Sequence, residues 1–198
     1  NYGDYPNADT FSHRNGDIDD EYYNEGIYVG YRYFDTFNVT PAYPFGYGNS
    51  YAEFTWKTKD VKLEDLQVQL SVEVQNISSR YAGKETIQVY YSAPQGELEK
   101  PYQELAAFEK TDLLEPGEKQ ILNLSFPVVQ MASYSEKEAA YVLEPGTYYI
   151  RVGVHSRNTS VAAAVEIGQK VITRKLENRL KPDCDLQELS SVGVTPYS

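Results

Sequence analysis

The sequence predicts an all-β fold, an antiparallel β-sandwich of seven or eight short strands. Three observations carry this expectation. First, Leu66, Val68, Leu70, Val72 and Val74 alternate with Gln67, Gln69, Ser71, Glu73 and Gln75, a period of two that turns one face to a core and the other to water. Second, similar runs recur over residues 54–168, with turn residues between them at roughly 8–12-residue intervals, as a sandwich requires. Third, the chain has one cysteine, Cys184, so the sandwich must hold without an internal disulfide.

Residues 1–24 have no helical or strand period, and their Gly, Asn, Asp and Ser predict loop. Residues 25–54 carry Tyr28, Tyr31, Tyr33, Phe34, Phe37, Tyr43, Phe45, Tyr47, Tyr51 and Phe54 among Gly26, Gly30, Pro41, Pro44, Gly46 and Gly48. No ordinary helix or strand has this composition. So much aromatic surface must lie against something. Residues 54–60 form a first strand, with Phe54, Trp56 and Thr58 on one face, and residues 60–65 a turn region. The strand 66–74 follows. Burying its five apolar side chains contributes about 1.5–3 kcal/mol each before conformational entropy is charged.

Residues 76–83 are turn-rich. Residues 84–92 form a strand, with Ile87, Val89 and Tyr91 on one face and Thr86, Gln88 and Tyr90 on the other. Residues 93–102 are loop, and residues 103–111, of mixed propensity, are read as strand because they are short and have strands on either side. Glu115-Pro116-Gly117-Glu118 is a β-turn, where proline presets φ and glycine takes the left-handed position. Leu122, Leu124 and Phe126 alternate in the next strand, and residues 128–135 suit a helical turn. A short strand covers 141–143. Glu144-Pro145-Gly146-Thr147 repeats the earlier turn chemistry, Tyr148, Ile150, Val152 and Val154 alternate, residues 156–159 turn, and Val161, Ala163, Val165 and Ile167 end the sandwich. In the tail, residues 171–180 are charged with scattered apolar residues, of which Leu176 and Leu180 suit one helical face, and Pro182, Asp183 and the residues after them suit an extended linker.

The net charge of −11 argues against nucleic acid and against an anionic membrane surface, because both need an excess of Lys and Arg. No apolar run approaches the ~18 residues of a membrane span, and Asn1 opens a polar segment unlike a signal peptide. Four glycosylation sequons occur, at Asn38, Asn76, Asn123 and Asn158; chance occurrence in a Ser/Thr-rich β domain accounts for them.

Residues 25–35 (EGIYVGYRYFD) and 41–54 (PAYPFGYGNSYAEF) resemble the end of the second catalytic domain of glycoside hydrolase family 3, the β-glucosidases and their relatives. The family more often has Leu where Asn49 stands. Residues 83–94 (GKETIQVYYSAP), 99–120 (EKPYQELAAFEKTDLLEPGEKQ) and 141–158 (YVLEPGTYYIRVGVHSRN) resemble the fibronectin type III-like domain that follows. The resemblance covers about residues 22–168 and implies three parts: 1–53 a junction from the end of an α/β catalytic domain, 54–168 a fibronectin type III-like sandwich, and 169–198 a linker or tail. This overrun suggests that a parent protein continues with domains in permuted order. The implied function is a non-catalytic structural portion of a retaining β-glycosidase, a β-glucosidase acting on terminal β-D-glucosyl residues. Its partners would be the other domains of that enzyme, and the enzyme's substrate an oligosaccharide or aryl β-glucoside. The alternative is an independent type III-like carbohydrate-binding or adhesion module.

The sequence offers no catalytic pair. A retaining glycosidase needs two carboxyl groups about 5–5.5 Å apart. The family's nucleophile lies in a motif resembling Ser-Asp-Trp, which is absent, and Trp56 follows Phe54 and Thr55. Its acid/base lies upstream of the aromatic stretch, and Glu25 belongs to the junction. No catalytic residue is carried over, no substrate-binding residue is assigned, and neither a metal site nor a cofactor is expected. Asp17, Asp19, Asp20 and Glu21 lack calcium-loop spacing and read as a solvated charge run. His13 and His155 read as loop and turn residues. Gly26 and Gly30 read as packing positions. Arg32 is open to ring stacking, to pairing with an acid across an interface, or to a surface role. Tyr90, Tyr91, Tyr102, Tyr148 and Tyr149 are read as cross-strand aromatic pairs in preference to a sugar-binding platform.

Overall fold

The structure, a computed structural model, describes residues 2–12, 14–179, 182 and 184–197; Asn1, His13, Leu180 and Asp183, named above, fall outside them. Apart from the short helix α1 (Tyr31–Thr36) and two 3-10 turns at Tyr2–Asp4 and Val128–Met131, its regular elements are strands. They are β1 (Phe54–Glu64), β2 (Gln67–Asn76), β3 (Thr86–Ser92), β4 (Glu104–Lys110), β5 (Lys119–Pro127), β6 (Ser133–Ser135), β7 (Ala140–Leu143), β8 (Gly146–His155), β9 (Asn158–Ile167) and β10 (Val171–Lys175). One sheet has the order β1-β2-β5, the facing sheet β4-β3-β8-β9, and a small third sheet β10-β7-β6. All pairings are antiparallel. The fold is an all-β antiparallel sandwich, as expected.

The core follows the period of two. Val68, Leu70, Val72 and Val74 of β2 meet Leu122, Leu124 and Phe126 of β5 on the inner face, in the register Val68↔Phe126, Leu70↔Leu124 and Val72↔Leu122. Ile87, Val89, Tyr91, Tyr148, Ile150 and Val152 face them from the second sheet. Met131 and Leu143 belong to the same cluster.

Several local expectations need correction. β1 runs on to Glu64 through an irregularity between Thr58 and Asp60, so the expected turn shrinks to Asp65 and Leu66. Both have positive φ, 49° and 58°, the geometry of a two-residue hairpin turn that matches strand twist. Leu66 is therefore an exposed turn residue, and four of the five apolar side chains are buried rather than five. The two Glu-Pro-Gly tripeptides also differ. Gly117 sits in a turn at φ 83°, as expected, whereas Gly146 opens β8 at φ 132° and Glu144 is buried. Residues 171–175 are strand, not helix, because they pair with β7. Of the sequons, Asn76 is fully buried, and its amide donates to Tyr81 O and Leu114 O at 2.9 Å; that side chain is a structural tie with no room for a glycan.

Candidate functional site

The two faces of β3 read from the sequence, Ile87, Val89 and Tyr91 on one and Thr86, Gln88 and Tyr90 on the other, are both covered: Ile87, Gln88, Val89, Tyr90 and Tyr91 are all buried. The cover on the outer face is the aromatic segment, residues 25–54. Tyr31 stacks on Phe45 at 4.6 Å and meets Tyr90 edge-on at 5.9 Å. The Leu105 N–H donates to the Tyr31 hydroxyl oxygen at 2.8 Å. The Gln88 amide donates to Gly46 O and Val154 O, and the Tyr90 hydroxyl donates to Gln88 Oε1. A Cβ at Gly46 would overlap the Gln88 side chain, and Gly46 also has φ 82°. The PFGYG and GKETIQVY motifs are thus two halves of one contact. The segment also contains helix α1, contrary to the expectation of no regular element; Gly30 precedes it at φ 59°, a conformation glycine adopts without the Cβ penalty.

The β8–β9 hairpin turn reaches across to this segment. The Ser156 N–H donates to Phe45 O at 2.9 Å. Arg157 pairs through Nε with Asp35 Oδ1 at 2.9 Å, and its Nη2 donates to Phe34 O and Val39 O at 2.8 and 2.7 Å. Phe34 O also accepts from the Val39 N–H at 2.9 Å, so Arg157 reinforces the turn that ends α1. Asp35 is 1% exposed, and its other oxygen accepts from Gln103 Nε2 at 3.2 Å. The Tyr102 N–H donates to Thr36 Oγ1. Arg32 takes the ion-pair option, with Glu104 at 3.2 Å, and Glu104 also accepts from the Tyr91 hydroxyl.

The tail, expected to be extended linker, straps the joint from outside. The Leu189 N–H donates to Asn24 O, the Ser191 N–H to Glu99, and the Tyr197 N–H to Asp35 O. The Tyr197 ring lies under Arg157, 4.5 Å from the guanidinium carbon to the ring centre. Tyr28 is buried, and its hydroxyl lies 2.7 Å from both Glu99 Oε2 and Ser191 Oγ. Burial, chiefly, pushes its pKa up to about 12. Sequence reasoning missed Arg157, Asp35 and Gln103; nothing local distinguishes a buried arginine in a hairpin turn from an exposed one.

Two other motifs also meet. Lys100 and Glu144 form a buried ion pair, and the Glu144 carboxylate accepts from the Glu97 and Leu98 amides as well. Burial pushes the Glu144 carboxyl up, but the Lys100 hydrogen bond and the two amides outweigh it and hold the group below the ordinary carboxylate value. In front of α1 lies a cleft of about 310 Å³, lined by residues that include Tyr31, Phe34, Asp35, Tyr43, Phe45 and Ser156.

The remaining candidates have structural places. Asp17 caps the Asp19 and Asp20 amides, and among the described residues no cluster of His, Cys, Asp and Glu is arranged to hold a metal. His155 packs against Tyr47, and its Nδ1 accepts from the Arg157 N–H at 3.2 Å. Gly26 abuts Glu188 of the tail, and Cys184 is exposed. The tyrosine set forms neither a platform nor cross-strand pairs. Tyr91 and Tyr148 are buried in the core between the sheets, and Tyr90 is buried on the other face of β3 under Tyr31. Tyr102 packs against Arg151 and Tyr197, and Tyr149 is exposed.

The family profile described as fibronectin type III-like domain matches residues 85–156. β-Glucosidase A of Butyrivibrio fibrisolvens is 39% identical over 203 aligned residues, covering 90% of this chain and 24% of that protein. The solved β-glucosidase of Paenibacillus barengoltzii superposes with a TM-score of 0.84 at 43% identity, over 90% of this chain and 20% of that one. β-Glucosidase 3B of Thermotoga neapolitana, solved with α-D-glucose, gives 0.78 at 40% identity, over 86% and 24%. The chain spans about a quarter or less of the length of these relatives. The chain therefore carries a fibronectin type III-like domain and is homologous to a part of β-glucosidases, resembling the C-terminal part of glycoside hydrolase family 3.

Proposed function

We propose that this chain is the non-catalytic brace and junction of a retaining β-glucosidase that releases terminal β-D-glucosyl residues from oligosaccharides or aryl β-glucosides. In this reading residues 1–53 are the junction with an α/β catalytic domain, 54–168 the sandwich and 169–198 the tail. The carrying observation is the asymmetry of the aromatic segment. Its inner side packs on β3 and β4, while Tyr43, Phe45, Tyr47 and Tyr51 remain exposed on its other side. A run of exposed rings of this kind marks a surface that another protein surface covers, and the relatives' extra length supplies one. The nucleophile and acid/base carboxyls would lie in that neighbour, and the acidic chain itself would engage neither nucleic acid nor membrane.

The test is direct. The purified 198-residue chain, at micromolar concentration, should leave p-nitrophenyl β-D-glucoside untouched. In the parent enzyme, Tyr51→Asp should loosen the interdomain contact and raise the proteolytic sensitivity of residues 40–54. Turnover by the isolated chain would refute the brace reading, as would a parent enzyme indifferent to the Tyr51 change.

A further inference from the structure

The strap made by the tail is held differently at its two ends. None of the described residues in 184–197 is fully buried, so the strap depends on polar contacts more than on apolar burial. One end is the Tyr197 ring on Arg157, with the Tyr197 N–H donating to Asp35 O and its hydroxyl to Arg157 O. A guanidinium keeps its charge at any pH a folded protein meets.

The other end converges on one carboxylate. Glu99 Oε1 accepts from the Ser190 hydroxyl, and Oε2 accepts from the Ser191 N–H at 2.9 Å, with Ser191 Oγ 3.4 Å away. From the junction, the hydroxyl of the buried Tyr28 comes within 2.7 Å of the same Oε2. A single side chain thus joins a sandwich loop, the junction and the tail. The arrangement needs that side chain ionised. A carboxylate only accepts, whereas a carboxylic acid gives up acceptor capacity and brings a donor to a place already occupied by donors. Charge-assisted hydrogen bonds are also about twice as strong as neutral ones.

Glu99 is exposed, so a proton reaches it without unfolding. Its burial on the strap's side pushes the carboxyl up, but the Ser190, Ser191 and Tyr28 donors outweigh this and hold it below the ordinary carboxylate value. The other ionisable groups on the three packed segments have different places. Lys100 and Glu97 pair with Glu144 and Lys170, and Glu188 lies against Gly26. Glu25 and Asp185 form no hydrogen bond with Glu99. The Tyr28 hydroxyl, pushed up to about 12, keeps its proton throughout the acid range.

We propose that residues 189–192 form an acid-released clasp: ionised Glu99 fastens Ser190 and Ser191 across the joint, and protonated Glu99 lets them go while Tyr197 stays on Arg157. The depressed carboxyl fixes the direction. The clasp is closed above the ordinary glutamate pKa of ~4.3 and opens as pH falls from there through the lower clasped-state value. The neutral hydrogen bond from the Leu189 N–H to Asn24 O then holds that end only weakly. All parts of the clasp lie in this chain, so the proposal does not rest on the brace reading.

The experiment is amide NMR of the 198-residue chain between pH ~6.5 and ~3.5. The amides of Leu189, Ser190, Ser191 and Val192 should shift together with one midpoint below ~4.3, and their order parameters should fall below ~0.6. Tyr197 and the β2 amides should keep theirs. Glu99→Gln, of equal size and unable to ionise, should raise the open population about 5- to 30-fold at neutral pH and abolish the titration of the tail. Tyr28→Phe removes one donor, so it should move the midpoint up toward the ordinary value; unchanged circular dichroism certifies both variants. The proposal is overturned if residues 189–192 stay ordered at pH ~3.5 while β2 is folded, or if the midpoint lies at or above ~4.3. It is equally overturned if the tail of Glu99→Gln still opens with acid, or if the tail and β2 lose order together, which is acid unfolding.

Discussion

Arg157 holds the joint, and its removal has a calculable cost. Arg157→Ala strips the ion-pair partner of Asp35, a carboxylate 1% exposed, and removes the guanidinium donor from Phe34 O, which keeps the Val39 N–H, and from Val39 O. Breaking a buried pair by removing one member costs about 3–5 kcal/mol, since a charge is left desolvated and unmatched. A domain of this size has a total stability of roughly 5–15 kcal/mol, so the loss is a large fraction of it. At ~2–4 °C per kcal/mol for chains of 150–250 residues, Tm should drop by roughly 6–20 °C. The loss should be local first: hydrogen exchange should accelerate at residues 31–39 before β2 and β5 are affected. Asp35→Asn in the Arg157→Ala background should recover part of the loss, because the neutral amide no longer strands a charge. Arg157→Lys should rescue poorly, since an ammonium does not reproduce the guanidinium fork over Asp35 and two carbonyls. A Tm shift under ~2 °C for Arg157→Ala, about 1 kcal/mol or less, with unchanged exchange at 31–39, would refute the reasoning.

Gly46→Ala should cost at least ~1–2 kcal/mol from its left-handed φ alone, plus displacement of the Gln88 amide; urea denaturation measures it, and a neutral result would mean the segment is not held against β3. Lys100→Met should destabilise by about 3–5 kcal/mol by leaving Glu144 buried and unpaired, with faster exchange at the Glu97 and Leu98 amides as its signature. Because the folded-state pKa of Glu144 is depressed, its contribution is fully present above the ordinary carboxylate pKa and fades as pH falls below it; thermal scans in which Glu144→Gln shows the same acid slope as the parent chain would contradict this. Burial lowers the pKa of His155, against a smaller upward pull from Asp35. Its contribution is therefore full above the unfolded value of ~6.5 and lost as pH falls from there through the lower folded-state value, while His155→Gln should flatten the profile below pH ~6.5.

How much of this was legible in the sequence depends on the range of each interaction. The inner faces of β2 and β5 were readable because alternation is local: a half-buried strand writes its burial into every second residue. The hairpin turn before Asn158 was readable as a turn, but not the inward reach of Arg157, whose partner Asp35 lies 122 positions away. On the outer face of β3 the polar-tipped Thr86, Gln88 and Tyr90 give no sign of what covers them, and only the arrival of Gly46 and Tyr31 buries Gln88 and Tyr90. Two Glu-Pro-Gly tripeptides, identical in sequence, became a solvent turn at Glu115 and a buried anion at Glu144, because Lys100 stands beside only one of them.

The chain of residues by itself determined the all-β class, the pairing of apolar faces into a sandwich and the need to cover the rings of residues 25–54. Tertiary structure alone decided which sheet those rings cover, that residues 189–197 cross back over them, and which charges are buried in pairs. The physical reason is that hydrophobic periodicity is set residue by residue, whereas the cost or benefit of burying a charge, an amide or a hydroxyl depends on what another part of the chain brings to it.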